Sequence, residues 1–128
     1  MVDTLWEAAR DAHDRAYAPY SGFRVGAAVE GIDGSVHAGC NVENASYGLS
    51  MCAERVAIGV AVTAGVTRFR RVVVVSDCDP PAAPCGACRQ VLAEFAPEAE
   101  VAAVGPEQTK RWLVRDLLPD AFSPDQLP

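Results

Sequence analysis

"RRVVVVSD", residues 70–77, sets four valines in a row between charged ends. An apolar run without alternation reads as a central strand covered on both faces, so the fold must place a layer on either side of a sheet. Downstream, "CDPPAAP" (78–84) is a loop with three prolines, and "CGACRQVLAEFA" (85–96) reads as a helix. "EVAAVG" (100–105) follows as a second, shorter strand. Strand, helix and strand in that order imply a right-handed crossover and a parallel pair.

Upstream, "CAERVAIGVAVTAG" (52–65) is apolar nearly all round, as a helix packed on a sheet would be, with Gly65 as its C-terminal cap. Before it, "FRVGAAV" (23–29) and "SVHAGCNV" (35–42) are β-prone runs joined through Asp33-Gly34, a hairpin signal, and read as an antiparallel pair. Leu5, Ala8, Ala9, Ala12 and Ala16 form one helical stripe over Thr4 to Tyr17, with Asp3 or Thr4 as N-cap. The tail "KRWLVRDLLPDAF" (110–122) reads as a short helix that stops at Pro119. The expected fold class is α/β: a three-layer α/β/α sandwich on a mixed sheet, in one domain over residues 1–128.

At 128 residues and 50% hydrophobic, the chain suits a single core. A net charge of -6 and a pI near 4.8, without a basic stripe carrying interleaved aromatics, argue against nucleic acid or an anionic membrane as partner. A small neutral or cationic substrate fits better. The N-terminus lacks a basic segment followed by a continuous apolar run, so no secretory signal or membrane span is expected and the cytoplasm is the expected location. Five cysteines, two of them in a Cys-x-x-Cys, suit a reducing compartment and metal or catalytic thiols rather than disulfides.

Two of the expected helices begin at cysteines. Cys85 and Cys88, three apart on a first turn, project to one side, and Cys52 opens the other helix. If the two N-termini converge at one sheet edge, three sulfurs meet, and zinc suits soft ligands in tetrahedral geometry. The helix dipoles favour thiolate over thiol there. Three protein ligands leave an open position, where a water's pKa falls toward about 7. Three thiolates also overcompensate the dication, a charge that Arg55 can offset by donating to sulfur. Glu54, two residues from Cys52, faces the open position as a general acid and base without being a ligand.

Blander readings compete. A Cys-x-x-Cys alone also fits a structural zinc or a redox pair. A structural site needs a fourth ligand from Cys40, Cys78, His13 or His37, none of which sits in a second paired motif; both histidines read as surface residues, and Cys40 and Cys78 as small buried thiols. A redox role leaves Cys52 and Glu54 unused. A small zinc-stabilised binding module without catalysis is the reading from a different class.

With "PYSGFRVGAAV", "GCNVENASYG", "CAER", "PCGACRQV" and "LLPDAF" in this order, the chain resembles the short, homotetrameric, zinc-dependent cytidine deaminases from about Pro19 to Phe122. The cysteine and glutamate spacing is the all-cysteine form of the zinc deaminase signature. The resemblance implies a zinc ion in each subunit on Cys52, Cys85 and Cys88, Glu54 as catalytic group, and hydrolysis of cytidine and 2'-deoxycytidine to the uridines with release of ammonia, in pyrimidine salvage. It further implies that Asn41 and Glu43 hold the ribose, Phe23 packs near the base and the Ala53 backbone holds the pyrimidine. Ala45, Tyr47 and Phe122 would reach a neighbour's site in a homotetramer. From the residues alone, Glu43 reads as a solvated carboxylate and Phe23 as a core aromatic. Among enzymes of the same chemistry, a blasticidin-type deaminase has no use for a ribose acceptor such as Glu43, and a dCMP deaminase needs a cationic phosphate clamp that the sequence does not display.

Overall fold

A computed structural model describes residues 3–128; the part of the N-terminal reading that falls on Met1 and Val2 lies outside it. Helix α1 (Thr4–Asp14) precedes strands β1 (Val25–Gly31) and β2 (Val36–Cys40), then helix α2 (Ala53–Thr63), strand β3 (Phe69–Ser76) and helix α3 (Gly86–Phe95). Strands β4 (Glu100–Val104) and β5 (Thr109–Leu113) and the short helix α4 (Val114–Leu117) complete the chain, and short 3₁₀ turns lie at Tyr47–Leu49 and Pro124–Gln126. The sheet runs β2-β1-β3-β4-β5, with β3 central and parallel to β4 and every other pair antiparallel.

The valine run does what its composition requires. Alternate side chains leave a strand on opposite faces, and Val72 and Val74 pack with Ala57, Ile58 and Leu92 of α2 and α3, while Val73 and Val75 pack with Leu5 and Ala9 of α1. The three layers are thus α1, the mixed sheet, and α2 with α3 and α4. Each fully buried leucine or valine contributes about 1.5–3 kcal/mol relative to exposure. Among the described residues, no helix is long and apolar enough to cross a membrane.

Two expectations need correction. The first helix stops at Asp14, with Arg15 as C-cap, rather than reaching Tyr17, which instead bridges to Val42 beyond β2. The tail is not one short helix. Residues Thr109–Leu113 form the edge strand β5 on β4, and only Val114–Leu117 is helical, ending before Pro119 as expected. Trp112 alone in β5 is part-buried against the core, so the strand's period-two pattern is one side chain long, while Leu113, Val114 and Leu117 fall on one face of a helix.

One contact sets where α2 sits. Gly39 of β2 lies directly beneath it, and a Cβ there would fall 2.5 Å from the Ala57 nitrogen and 2.7 Å from Val56 Cγ1. The Ala57 nitrogen, and the Val56 carbonyl carbon at 2.9 Å, are backbone atoms that cannot yield without moving the helix. Gly39→Ala is therefore expected to destabilise the protein by about 2–4 kcal/mol and to lower Tm by roughly 10 °C. A thermal melt checks this; an unchanged Tm would mean that α2 does not rest on that backbone.

Candidate active site

The same edge of the sheet delivers both cysteine-led helices. Cys52 is the N-cap of α2 and Cys85 the N-cap of α3, each in extended backbone, and Cys88 follows on the first turn of α3. Cys52 Sγ lies 3.6 Å from Cys85 Sγ, which lies 3.5 Å from Cys88 Sγ. Sulfurs at about 2.3 Å from a tetrahedral zinc stand about 3.8 Å apart, so the trio fits zinc without rebuilding. Cys88 is buried and Cys85 exposed, which leaves the centre closed below and open above.

Among the described residues, no fourth histidine, cysteine or carboxylate ligand joins this cluster. Cys40 donates from its sulfur to the Arg15 carbonyl, 3.6 Å away, and His37 contacts Ser35 Oγ at 3.0 Å. His13 corrects the surface assignment, being buried with Nε2 2.8 Å from Asp77 Oδ1 and Nδ1 3.1 Å from Asp14 Oδ1. A helix face that meets the sheet explains it. A closed four-ligand structural zinc therefore lacks its fourth donor.

Charge is arranged around one sulfur. The hydrogen bond from Cys88, and beyond it Arg55, outweigh burial and lower the Cys52 thiol from 9.0 to about 5, while donating to Cys52 and being buried push the Cys88 thiol up. Arg55 Nη2 reaches Cys52 Sγ at 3.6 Å and the Ser50 carbonyl at 3.5 Å, and its buried Nε has no partner. A guanidinium at this distance is placed to offset the excess negative charge of a three-thiolate site.

Glu54, 6% exposed, sits one residue into α2. Burial, then the Cys52 charge, raise its carboxyl above the ordinary value, so it holds a proton further toward neutrality than a surface glutamate. It lines a cavity of about 280 Å³ together with Phe23, Asn41, Glu43, Cys52, Ala53 and Cys85. Cys88 lies beneath this cavity rather than in its wall.

Asn41 and Glu43 bind the chain around Phe23. Asn41 donates from Nδ2 to the Phe23 carbonyl (2.8 Å) and accepts the Val25 N–H at Oδ1 (2.9 Å). Glu43 Oε1 accepts the N–H groups of Tyr20 (3.0 Å) and Ser21 (3.1 Å), and Oε2 accepts the Ser21 hydroxyl. Neither bland reading holds for these two positions: the Glu43 carboxylate is engaged rather than merely solvated, and Phe23, 39% exposed, faces the cavity rather than the core.

Three sequence-derived candidates stand apart. Ala45 is exposed, Tyr47 packs edge-on to Tyr20 over a neighbouring hollow, and Phe122 is exposed, its carbonyl accepting from Gln90 Nε2 at 2.9 Å. None lines the cavity in this chain. Conversely, Ser76 and Ala82 line it without having been singled out. Strand alternation places Ser76 on the face of Val74, a signal present in the sequence; Ala82 comes from the proline loop, where no periodicity points anywhere.

A three-layer sandwich whose helix N-termini gather three thiols beside a buried carboxyl defines the class of zinc-binding nucleobase deaminases. Residues 2–104 match the family model described as the cytidine and deoxycytidylate deaminase zinc-binding region. The chain is 43% identical to the cytidine deaminase of Sporosarcina psychrophila over 98% of this chain and 94% of that one, and 45% identical to the cytidine deaminase of Halalkalibacterium halodurans over 96% and 95%. Among solved structures, the cytidine deaminase of Burkholderia pseudomallei superposes with a TM-score of 0.90 at 50% identity, over 95% of this chain and all of that one. The chain belongs to the cytidine deaminase family.

Proposed function

We propose that this chain, as one catalytic domain, is a zinc-dependent cytidine deaminase that converts cytidine and 2'-deoxycytidine with water to uridine and 2'-deoxyuridine, releasing ammonia. The observation that carries the reading is the placement of buried Glu54 beside three convergent thiols, on the wall of a cavity that also takes in Asn41 and Glu43. When bound on Cys52, Cys85 and Cys88, zinc supplies the activation of water to a nucleophile near neutral pH.

The chain's own groups do the rest. Glu54 takes a proton from the attacking water and gives it to N3 of the pyrimidine, which makes C4 electrophilic. After attack, the same carboxyl carries the proton of the new C4 hydroxyl to the amino group, and ammonia leaves. A carboxyl whose proton affinity is raised by burial suits both transfers. Phe23 packs against the base, the Ala53 backbone fixes its edge, and Asn41 with Glu43 holds the sugar hydroxyls. Arg55 acts behind the sulfurs.

Nucleosides are favoured over nucleotides by the cavity's charge. No lysine, arginine or histidine lines it among the described residues, so a phosphate would meet no cation there and only the carboxyls of Glu43 and Glu54. A blasticidin-type substrate would leave Glu43 without a sugar to hold. Pyrimidine salvage in the cytoplasm is the proposed setting.

A homotetramer, with Ala45, Tyr47 and Phe122 reaching a neighbouring site, is also part of the proposal. Tyr20 and Tyr47, 51% and 76% exposed, line the hollow next to the cavity, an aromatic rim that further copies would cover.

Loss of ultraviolet absorbance on adding cytidine, 2'-deoxycytidine, dCMP or blasticidin S tests the assignment. Turnover is expected with both nucleosides and not with dCMP. Turnover of dCMP or blasticidin S alone overturns the substrate assignment, and no turnover of any of the four favours a binding module.

A further inference from the structure

We propose that Ser21 is a positioning residue that holds the sugar-binding carboxylate of Glu43 and the base-facing Phe23 in fixed relation, an inference that rests on the roles assigned to those two residues above. The sequence around it, "APYSGF", turns sharply. Gly22 has φ of 70°, a backbone region costly for other residues, and its N–H returns to the Ala18 carbonyl at 3.0 Å. That reversal aims the Ser21 hydroxyl in two directions at once. Its oxygen accepts the Phe23 N–H at 3.0 Å, and its proton goes to Glu43 Oε2.

A hydroxyl has one proton to give, and here it is committed to Glu43. The carboxylate offers about four lone-pair sites, and the N–H groups of Tyr20 and Ser21 with the Ser21 hydroxyl fill three of them, leaving one for a sugar hydroxyl. Ser21 thus determines which direction of Glu43 stays free. Phe23 is held from its other side by Asn41, so the segment carrying it is tied at both ends to the residues that meet the sugar. A serine at an exposed turn would ordinarily be solvated; this one connects two parts of a binding cavity.

Ser21→Ala removes both links without filling or emptying a core position. KM for cytidine is expected to rise about fivefold or more with kcat changed less than about twofold, because the loss falls on orientation of the bound sugar and not on proton transfer. Ser21→Thr keeps the hydroxyl and is expected to restore most of the affinity. The deciding measurement is the cycle with Glu43→Gln, each variant checked for zinc content and Tm. If Glu43→Gln raises KM and adding Ser21→Ala raises it little further, Ser21 acts through Glu43. If Ser21→Ala raises KM by the same factor in both backgrounds, or has no effect in the wild type, the proposal fails while the sugar-binding reading stands. If Glu43→Gln alone leaves KM unchanged, that reading itself is overturned.

Discussion

Glu54→Gln is expected to lower kcat for cytidine by about 10³–10⁴ while zinc content, Tm and KM stay near those of the wild type. The two side chains have the same shape and the same buried volume, so the substitution leaves the packing at the start of α2 unchanged. What it removes is the ability to accept a proton from water and hand it on, twice in each turnover. Burial raises the proton affinity of the wild-type carboxyl beyond that of a surface glutamate, which suits the proposed transfers. A purely structural Glu54 would behave differently: the amide would cost stability or metal together with rate. Paired measurements of kcat, bound metal and the melting transition separate the two, and a loss in kcat smaller than tenfold would remove Glu54 from the reaction.

How much of this could be read in advance differs from one element to the next. Val72 to Val75 announce a doubly covered strand because four consecutive β-branched side chains, short of helix length, suit burial on both faces of a sheet, and the chain supplies both coverings. Cys52 and Cys85 announce helix starts, and convergence follows because both helices leave one edge of the sheet. Other features have no local signature. Edge strand β5 carries charged Lys110 and Arg111 outward and commits only Trp112 to the core, so its sequence contains too few inward positions to show a period. His13 lies between two aspartates, one of them 64 residues away, a partner that only the tertiary fold brings within reach. The engagement of Glu43 by the Tyr20–Ser21 backbone is long-range in the same way, which is why its carboxylate reads as solvated until the turn at Gly22 is seen. Ala45, Tyr47 and Phe122 rest on resemblance alone, and all three are exposed in this chain.

Cys88→Ser is expected to abolish bound zinc at micromolar metal and to reduce turnover by more than about 10³, although Cys85, one turn earlier, is the more exposed member of the pair. Cys88 closes the base of the trio: it is fully buried, its sulfur is 3.5 Å from that of Cys85, and all three sulfurs lie within 4.8 Å of one another. A serine oxygen is a harder ligand on a shorter bond and stays protonated at neutral pH, so two sulfurs alone would remain to grip the ion. The competing view of Cys85 and Cys88 as a redox pair makes an opposite forecast for the third cysteine. In a redox protein Cys52→Ser is silent, whereas a three-sulfur metal site treats Cys52 and Cys88 alike. Metal analysis and cytidine turnover for both variants, beside wild type stripped with a chelator and reloaded with zinc, therefore decide between them. Equal losses in the two variants, with activity recovered by zinc in the wild type alone, are the expected outcome; a metal-free but active Cys52→Ser protein would exclude the three-thiolate centre.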